Sequence, residues 1–298
     1  MSKKSERMKK NAERHASSGR PKRERVKRVD RPIVARSFEG TPSECDWIAL
    51  RELVPAATAP LSLKTDPGRP VILGTVLPMA VPAMVREDGS ILVAAQTTIP
   101  SSDPSRDIAH AIVRALEAKP GDLLPIESAP LDGPTLADLL TDAPLEVTVH
   151  DDFSFWLVDA DNQSAEVKAS LERANATAFP TVRLQGVEAA YWCAPGPKAH
   201  VRWPMPYAED ALLDAMARLS AAGQLTLGED TKFAGQFRGH GVLVPVWDVP
   251  IDAHPSEFEK PAAELLARLE EAVSNDAPLT EAERRARAGI IGRQVALR

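Results

Sequence analysis

The side chains best suited to chemistry are few, and their spacing rules out most of what they could do. The six histidines, His15, His110, His150, His200, His240 and His254, show no HxxxH or HxH pairing, and neither Cys45 nor Cys193 has a ligand partner two to four residues away. A zinc site needs such pairs, so none is indicated. Asp159-x-Asp161 begins like a calcium loop but lacks the glycine and the terminal glutamate at the required offsets. There is no GxxxxGK[ST], no GxGxxG after a strand and no GxSxG, so phosphate cradles and a serine nucleophile elbow are absent, and no cofactor is indicated. What remains is the stretch from Ala189 to Pro206, AAYWCAPGPKAHVRWPMP. Cys193 lies near His200 across a turn, a thiol and base arrangement in principle, although a buried cysteine more often serves as a small hydrophobe. Trp192 and Trp203, with Trp47, Trp156 and Trp247, could line a pocket to which His200, Arg202 and Asp248 supply polar groups. Such tryptophans more often fill a core, because each buries a large area.

The elements that must position these residues can be read from periodicity. Pro195-Gly196-Pro197 between two short apolar-rich runs predicts a hairpin. Alternation along its second strand places Val201 and Trp203 on one face, His200 and Arg202 on the other. A helix over 207–222 follows, with Leu212, Leu213, Met216 and Leu219 on one stripe and Gly223 as its stop. Strands near Lys232 to Arg238 and Val242 to Trp247 join at Gly239-His240-Gly241. A helix over 260–274 carries Ala262, Leu265, Leu266, Leu269 and Val273 inward, with Ser256-x-x-Glu259 capping a short turn before it. Thr280-x-x-Glu283 starts a last helix whose far side is Arg284, Arg285 and Arg287.

Upstream, Ser43 is the expected cap of a helix that carries Trp47, Leu50 and Val54 inward and ends before Pro55. Strands are expected over Val71 to Met79, and in a hairpin formed by 83–85 and 91–97 around Glu87-Asp88-Gly89-Ser90. Asp103 caps a helix with Pro104 in first position and Ile108, Ile112 and Leu116 inward. Residues 121–144 read as a surface connection with a short helix at 135–140. Leu145 to Val149 and Phe153 to Val158 read as strands, 165–176 as a helix and Thr181 to Leu184 as a strand. The class is therefore α+β, mostly antiparallel sheet with amphipathic helices packed on it. It divides into 32–144 and 145–298, two halves that could be similar or could form one domain.

The formal charge of −6 conceals an asymmetry: residues 1–31 hold 13 Lys/Arg against 4 Asp/Glu, a net +9, whereas residues 32–279 hold 18 against 36, a net −18. The arm has no aromatic and almost no aliphatic residue, so it is expected to be disordered alone. Lys3, Lys4, Lys9, Lys10, Lys22, Arg23, Arg25, Lys27 and Arg28 could neutralise phosphates of RNA or the ribosome without reading sequence. A solvated tail with no fixed partner is the competing reading. No run of about 18 apolar residues exists and no apolar segment follows the basic start, so neither a membrane span nor a secretory signal is expected. With only two cysteines in 298 residues, a reduced, cytoplasmic setting follows.

Three segments, SFEGTPSECDWIALRELVPAAT at 37–58, ASLERANATAFPTVRLQGVEAAYWC at 169–193 and PLTEAERRARAGIIGRQVAL at 278–297, resemble an actinobacterial family of unknown function. Many members resemble one another further in carrying, before this domain, the cysteine-rich zinc motif found at the C-terminus of the SecA translocase, and bear a translocase label for that reason. The first 30 residues here contain no cysteine, so the resemblance implies no zinc site in this chain. The expectation is a non-enzymatic binding protein whose arm contacts RNA. The alternatives are a small-molecule site or enzyme at the 189–206 hairpin, and a protein-interaction module.

Overall fold

Two five-stranded sheets carry the fold of the computed structural model, which describes residues 32–98, 100–159 and 164–295. From Ile33 onward the chain is one compact unit. In the first half, helix α1 (Glu44–Glu52) precedes β1 (Ala57–Pro60), β2 (Val71–Gly74), β3 (Ala83–Val85), β4 (Ile91–Ala94), α2 (Pro104–Glu117), the single-turn α3 (Leu136–Leu139) and β5 (Thr148–Val149). The sheet order is β3-β4-β2-β1-β5, antiparallel except where β2 runs parallel to β4. The second half contributes α4 (Ala165–Asn175), β6 (Thr181–Arg183), β7 (Tyr191–Cys193), β8 (Ala199–Arg202), α5 (Glu209–Ala221), β9 (Lys232–Gly239), β10 (Val242–Val249), α6 (Glu259–Val273) and α7 (Glu281–Ile291). Its order is β6-β7-β8-β10-β9, antiparallel throughout. The class is α+β, as the alternation of patterns predicts; the strand orders of the two sheets differ.

Local chemistry explains most boundaries. Asp103 caps α2 by accepting from the Arg106 amide at 3.1 Å, with Pro104 in the first turn. Thr280 and Glu283 form the reciprocal box that starts α7. His240 and Gly241 join β9 to β10 with φ of 48° and 81°, the two positive values of the hairpin turn whose twist matches its strands.

Six expectations are corrected. The strand expected over Val71 to Met79 stops at Gly74, and Pro78–Ala80 is a 3₁₀ turn with Pro78 unable to donate to a ladder. Phe153 to Val158 is not a strand: Ser154–Trp156 is a 3₁₀ turn, held by the Ser154 amide donating to Asp152 at 2.8 Å and the Phe153 amide donating to Asn175 at 2.9 Å. Of the strand expected over Leu145 to Val149, only Thr148 and Val149 pair. Ser43 does not cap α1 with its side chain; it adopts φ 55° and its hydroxyl accepts the Leu145 amide at 3.0 Å, tying the helix start to the segment that leads into β5. The box before α6 is formed by His254 and Glu257 rather than Ser256 and Glu259. Arg287, moreover, is not on a free far side: it reaches Asp210 at 2.6 Å and Asp214 at 2.5 Å on α5.

The second sheet is cored on both faces. On one, Trp192, Val201, Trp203, Phe233 and Trp247 pack with Leu212 and Met216 of α5, Leu265 and Leu269 of α6 and Ile290 of α7. On the other, Tyr191, Phe237, Val244 and Val246 join Phe38, Trp47 and Ile48 in the core of the first half. The helices therefore cover most of one face, leaving Val182 at the β6 edge 40 % exposed, whereas the first half covers the opposite face only in part.

Candidate functional site

Register across the second sheet sets side chains in rows. Arg183 lies opposite Tyr191, Tyr191 opposite Arg202 and Arg202 opposite Val246; two residues along, Cys193 lies opposite His200 and His200 opposite Asp248. Since alternate residues share a face, these two rows lie on the face that the first half covers. At the Arg183 end the cover is α1. Asp46, 1 % exposed, takes two bonds from Arg183 at 3.2 and 3.0 Å and one from the Tyr191 hydroxyl at 2.6 Å. Burial, and then the Asp46 charge, push the Tyr191 hydroxyl well above its ordinary range.

Two residues along from this row the sheet opens into a pocket of about 320 Å³ lined by Pro195, Gly196, Pro197, Lys198, His200, Arg202, Ala234, Val246, Asp248 and Val295. His200 Nδ1 lies 2.9 Å from Asp248 Oδ1 and Lys198 Nζ 3.9 Å from Asp248 Oδ2. With Nδ1–H donated to the carboxylate, Nε2 is left as an acceptor. Burial lowers the His200 pKa below its ordinary value; Asp248 opposes this, and Arg202 and Lys198 reinforce it. His200 is therefore mostly neutral at pH 7. Arg202 is 8 % exposed, and among the described residues it has neither a hydrogen-bond acceptor nor a carboxylate at ion-pair distance. A guanidinium that buried ordinarily has a counter-charge.

The remaining wall comes from the far end of the chain. The Gln236 amide donates to Arg293 O at 3.0 Å and the Val295 amide to Gln236 O at 2.9 Å, so 293–295 runs along the edge of β9 and brings Val295 to the pocket. Only glycine permits this approach at 235: a Cβ there would lie 2.6 Å from Arg293 O and 2.7 Å from Val295 Cγ2.

Of the residues singled out from sequence, His200, Arg202 and Asp248 are brought together. Trp192 and Trp203 are not with them; they belong to the core on the opposite face, as do Trp247 and its neighbours, because the pleat that exposes His200 and Arg202 turns Val201 and Trp203 inward. Trp203 donates its indole N–H to Glu188 O at 2.8 Å. Cys193 is the register partner of His200, but burial pushes its thiol up to about 11, which leaves little thiolate for nucleophilic work. The basic-arm residues Lys3 to Arg28 lie outside the described residues, as does Asp161. Among the described residues, no three His, Cys, Asp or Glu are placed to hold a metal ion.

Sequence reasoning missed Lys198 and the two prolines of the turn, which were legible as the loop beside His200. Ala234 and Val295 carried no signal, because only tertiary folding brings them to the hairpin.

Residues 37–298 match DUF5926, a family of unknown function. No curated protein matches the chain, and no solved structure does.

Proposed function

We propose that this chain, which belongs to the family of unknown function DUF5926, is a binding protein that holds a small anionic molecule against Arg202 in the pocket beside the 195–198 turn. One observation carries the reading: Arg202, 8 % exposed as a residue, lines an open pocket with no carboxylate partner among the described residues. Burying a charge is costly unless it is paired, and an anion arriving from solvent supplies the missing partner. His200 and Lys198 add a hydrogen-bonding and a cationic group at the same rim, and a volume of about 320 Å³ stands at the lower end of the roughly 300–1,000 Å³ of small-molecule sites. The reading assigns no reaction.

Calorimetric titration of the full chain with acetate, benzoate, sulfate and inorganic phosphate at low ionic strength tests it. At least one anion should bind to the parent protein and lose its heat signal in Arg202→Met. If all four are inert, or if binding is the same in the variant, the reading is wrong.

A second reading rests on the arm, whose net charge over residues 1–31 is +9. It has the arm contacting RNA in the cytosol through Lys3, Lys4, Lys9, Lys10, Lys22, Arg23, Arg25, Lys27 and Arg28. Affinity for RNA should then fall steeply with added salt and vanish on deletion of residues 1–31; retention of RNA by the deleted protein would refute it.

A further inference from the structure

We infer that the anion taken by the Arg202 pocket is a monocarboxylic acid with a compact apolar body, an inference that rests on the anion reading above. The first support is the charge count. Arg202 and Lys198 are cationic and Asp248 is anionic, with all three lining the same pocket. His200, held by Asp248 at 2.9 Å, is mostly neutral at pH 7 for the reasons given above. The site therefore carries one net positive charge before a ligand arrives. A monoanion neutralises it. A dianion such as a phosphate monoester leaves an uncompensated negative charge beside the Asp248 carboxylate, in a partly buried setting where like charges repel more strongly than in water.

The second support is shape. The guanidinium fork matches a planar carboxylate in a two-bond pair, and among the described residues none of Arg202's side-chain donors is taken. The third is the remaining wall: Pro195, Pro197, Ala234, Val246 and Val295 offer carbon surface and no charge, so the part of the ligand beyond its carboxylate is apolar. A volume of about 320 Å³ corresponds to roughly ten waters at about 30 Å³ each, which accommodates a molecule the size of a benzoate.

The experiment is calorimetric titration of the full chain at about pH 7.5 with three probes of one ring and different head groups: benzoate, phenyl phosphate, which is largely dianionic there, and benzamide. Benzoate should bind, phenyl phosphate should bind about tenfold more weakly or not at all, and benzamide should be inert. Arg202→Met should cost benzoate about tenfold to a hundredfold, the range for losing a charge-assisted pair. Asp248→Asn, which removes the negative charge and keeps the side-chain shape, should narrow the gap by raising affinity for phenyl phosphate. If phenyl phosphate binds at least as tightly as benzoate and depends on Arg202, the monocarboxylate assignment is overturned while the anion reading stands. If neither anion binds, or both bind equally well to an Arg202→Met protein with a parental melting transition, the anion reading itself fails.

Discussion

Arg183 and Arg202 stand in one row of the second sheet, on either side of Tyr191, and yet their surroundings are opposite. Arg183 meets Asp46 in a two-bond ion pair that also holds the Tyr191 hydroxyl. Arg202, at least as deeply placed, meets no carboxylate among the described residues and opens on a pocket. The difference lies in what meets them: the first turn of α1 brings Asp46 to Arg183 and Tyr191, whereas the side chain of Arg202 lines the pocket. A buried arginine therefore occurs in two forms here, one with a counter-ion that belongs to the fold and one with none among the described residues.

The comparison can be broken most forcefully at Asp46. Asp46→Asn keeps the shape but leaves Arg183 without its counter-ion, and should destabilise the protein by about 3 kcal/mol, the lower end for breaking a buried pair, because the Arg183 side chain is 23 % exposed and can recruit water. Urea unfolding measures this; a loss below about 1 kcal/mol would mean that the pair contributes no more than a surface one. A smaller effect is expected at the wall of the open site. Gly235→Ala places a Cβ 2.6 Å from Arg293 O, should displace residues 293–295, and should cost more than ~1 kcal/mol; limited proteolysis near the C-terminus should accelerate.

Smaller still is Arg202→Met. Removing an unpaired buried charge should leave stability within about 0.5 kcal/mol of the parent or raise it, whereas Arg183→Met should destabilise by leaving Asp46 alone. Equal losses at the two positions would erase the distinction. The smallest effect concerns pH. His150 and His200 both have pKa values lowered from the ordinary 6.5, chiefly by burial, so the unfolded chain binds protons more readily than the folded one. Stability should hold above pH 6.5 and decline as pH falls through that value, saturating below the folded pKa. Replacing both with glutamine should flatten the decline in a melting series.

Legibility in the sequence followed the range of the interaction. The stripes of Trp47 with Leu50, of Ile108 with Ile112 and of Leu212 with Met216 mark helices because their period is local, and the structure buries all six. The Gly239-His240-Gly241 turn was equally readable. The segment from Phe153 to Val158 misled because a run of apolar residues has no period of its own; Asp152 and Asn175 decide its backbone instead. In the site, alternation alone separated His200 and Arg202 from Val201 and Trp203. It could not say that Trp192 and Trp203 would be sealed beneath α5 and α6, nor that Val295 would return to wall the pocket.

By itself, then, the sequence determined the α+β class, the hairpin at 189–206 with its two chemically unlike faces, and the charge contrast between the first 31 residues and the body, since each depends on neighbours within a few positions or on composition. Only the tertiary structure decided which arginine has a partner. Asp46 lies 137 residues from Arg183, and whether a buried charge is satisfied depends on what folding places within about 4 Å of it, a distance that no local pattern encodes.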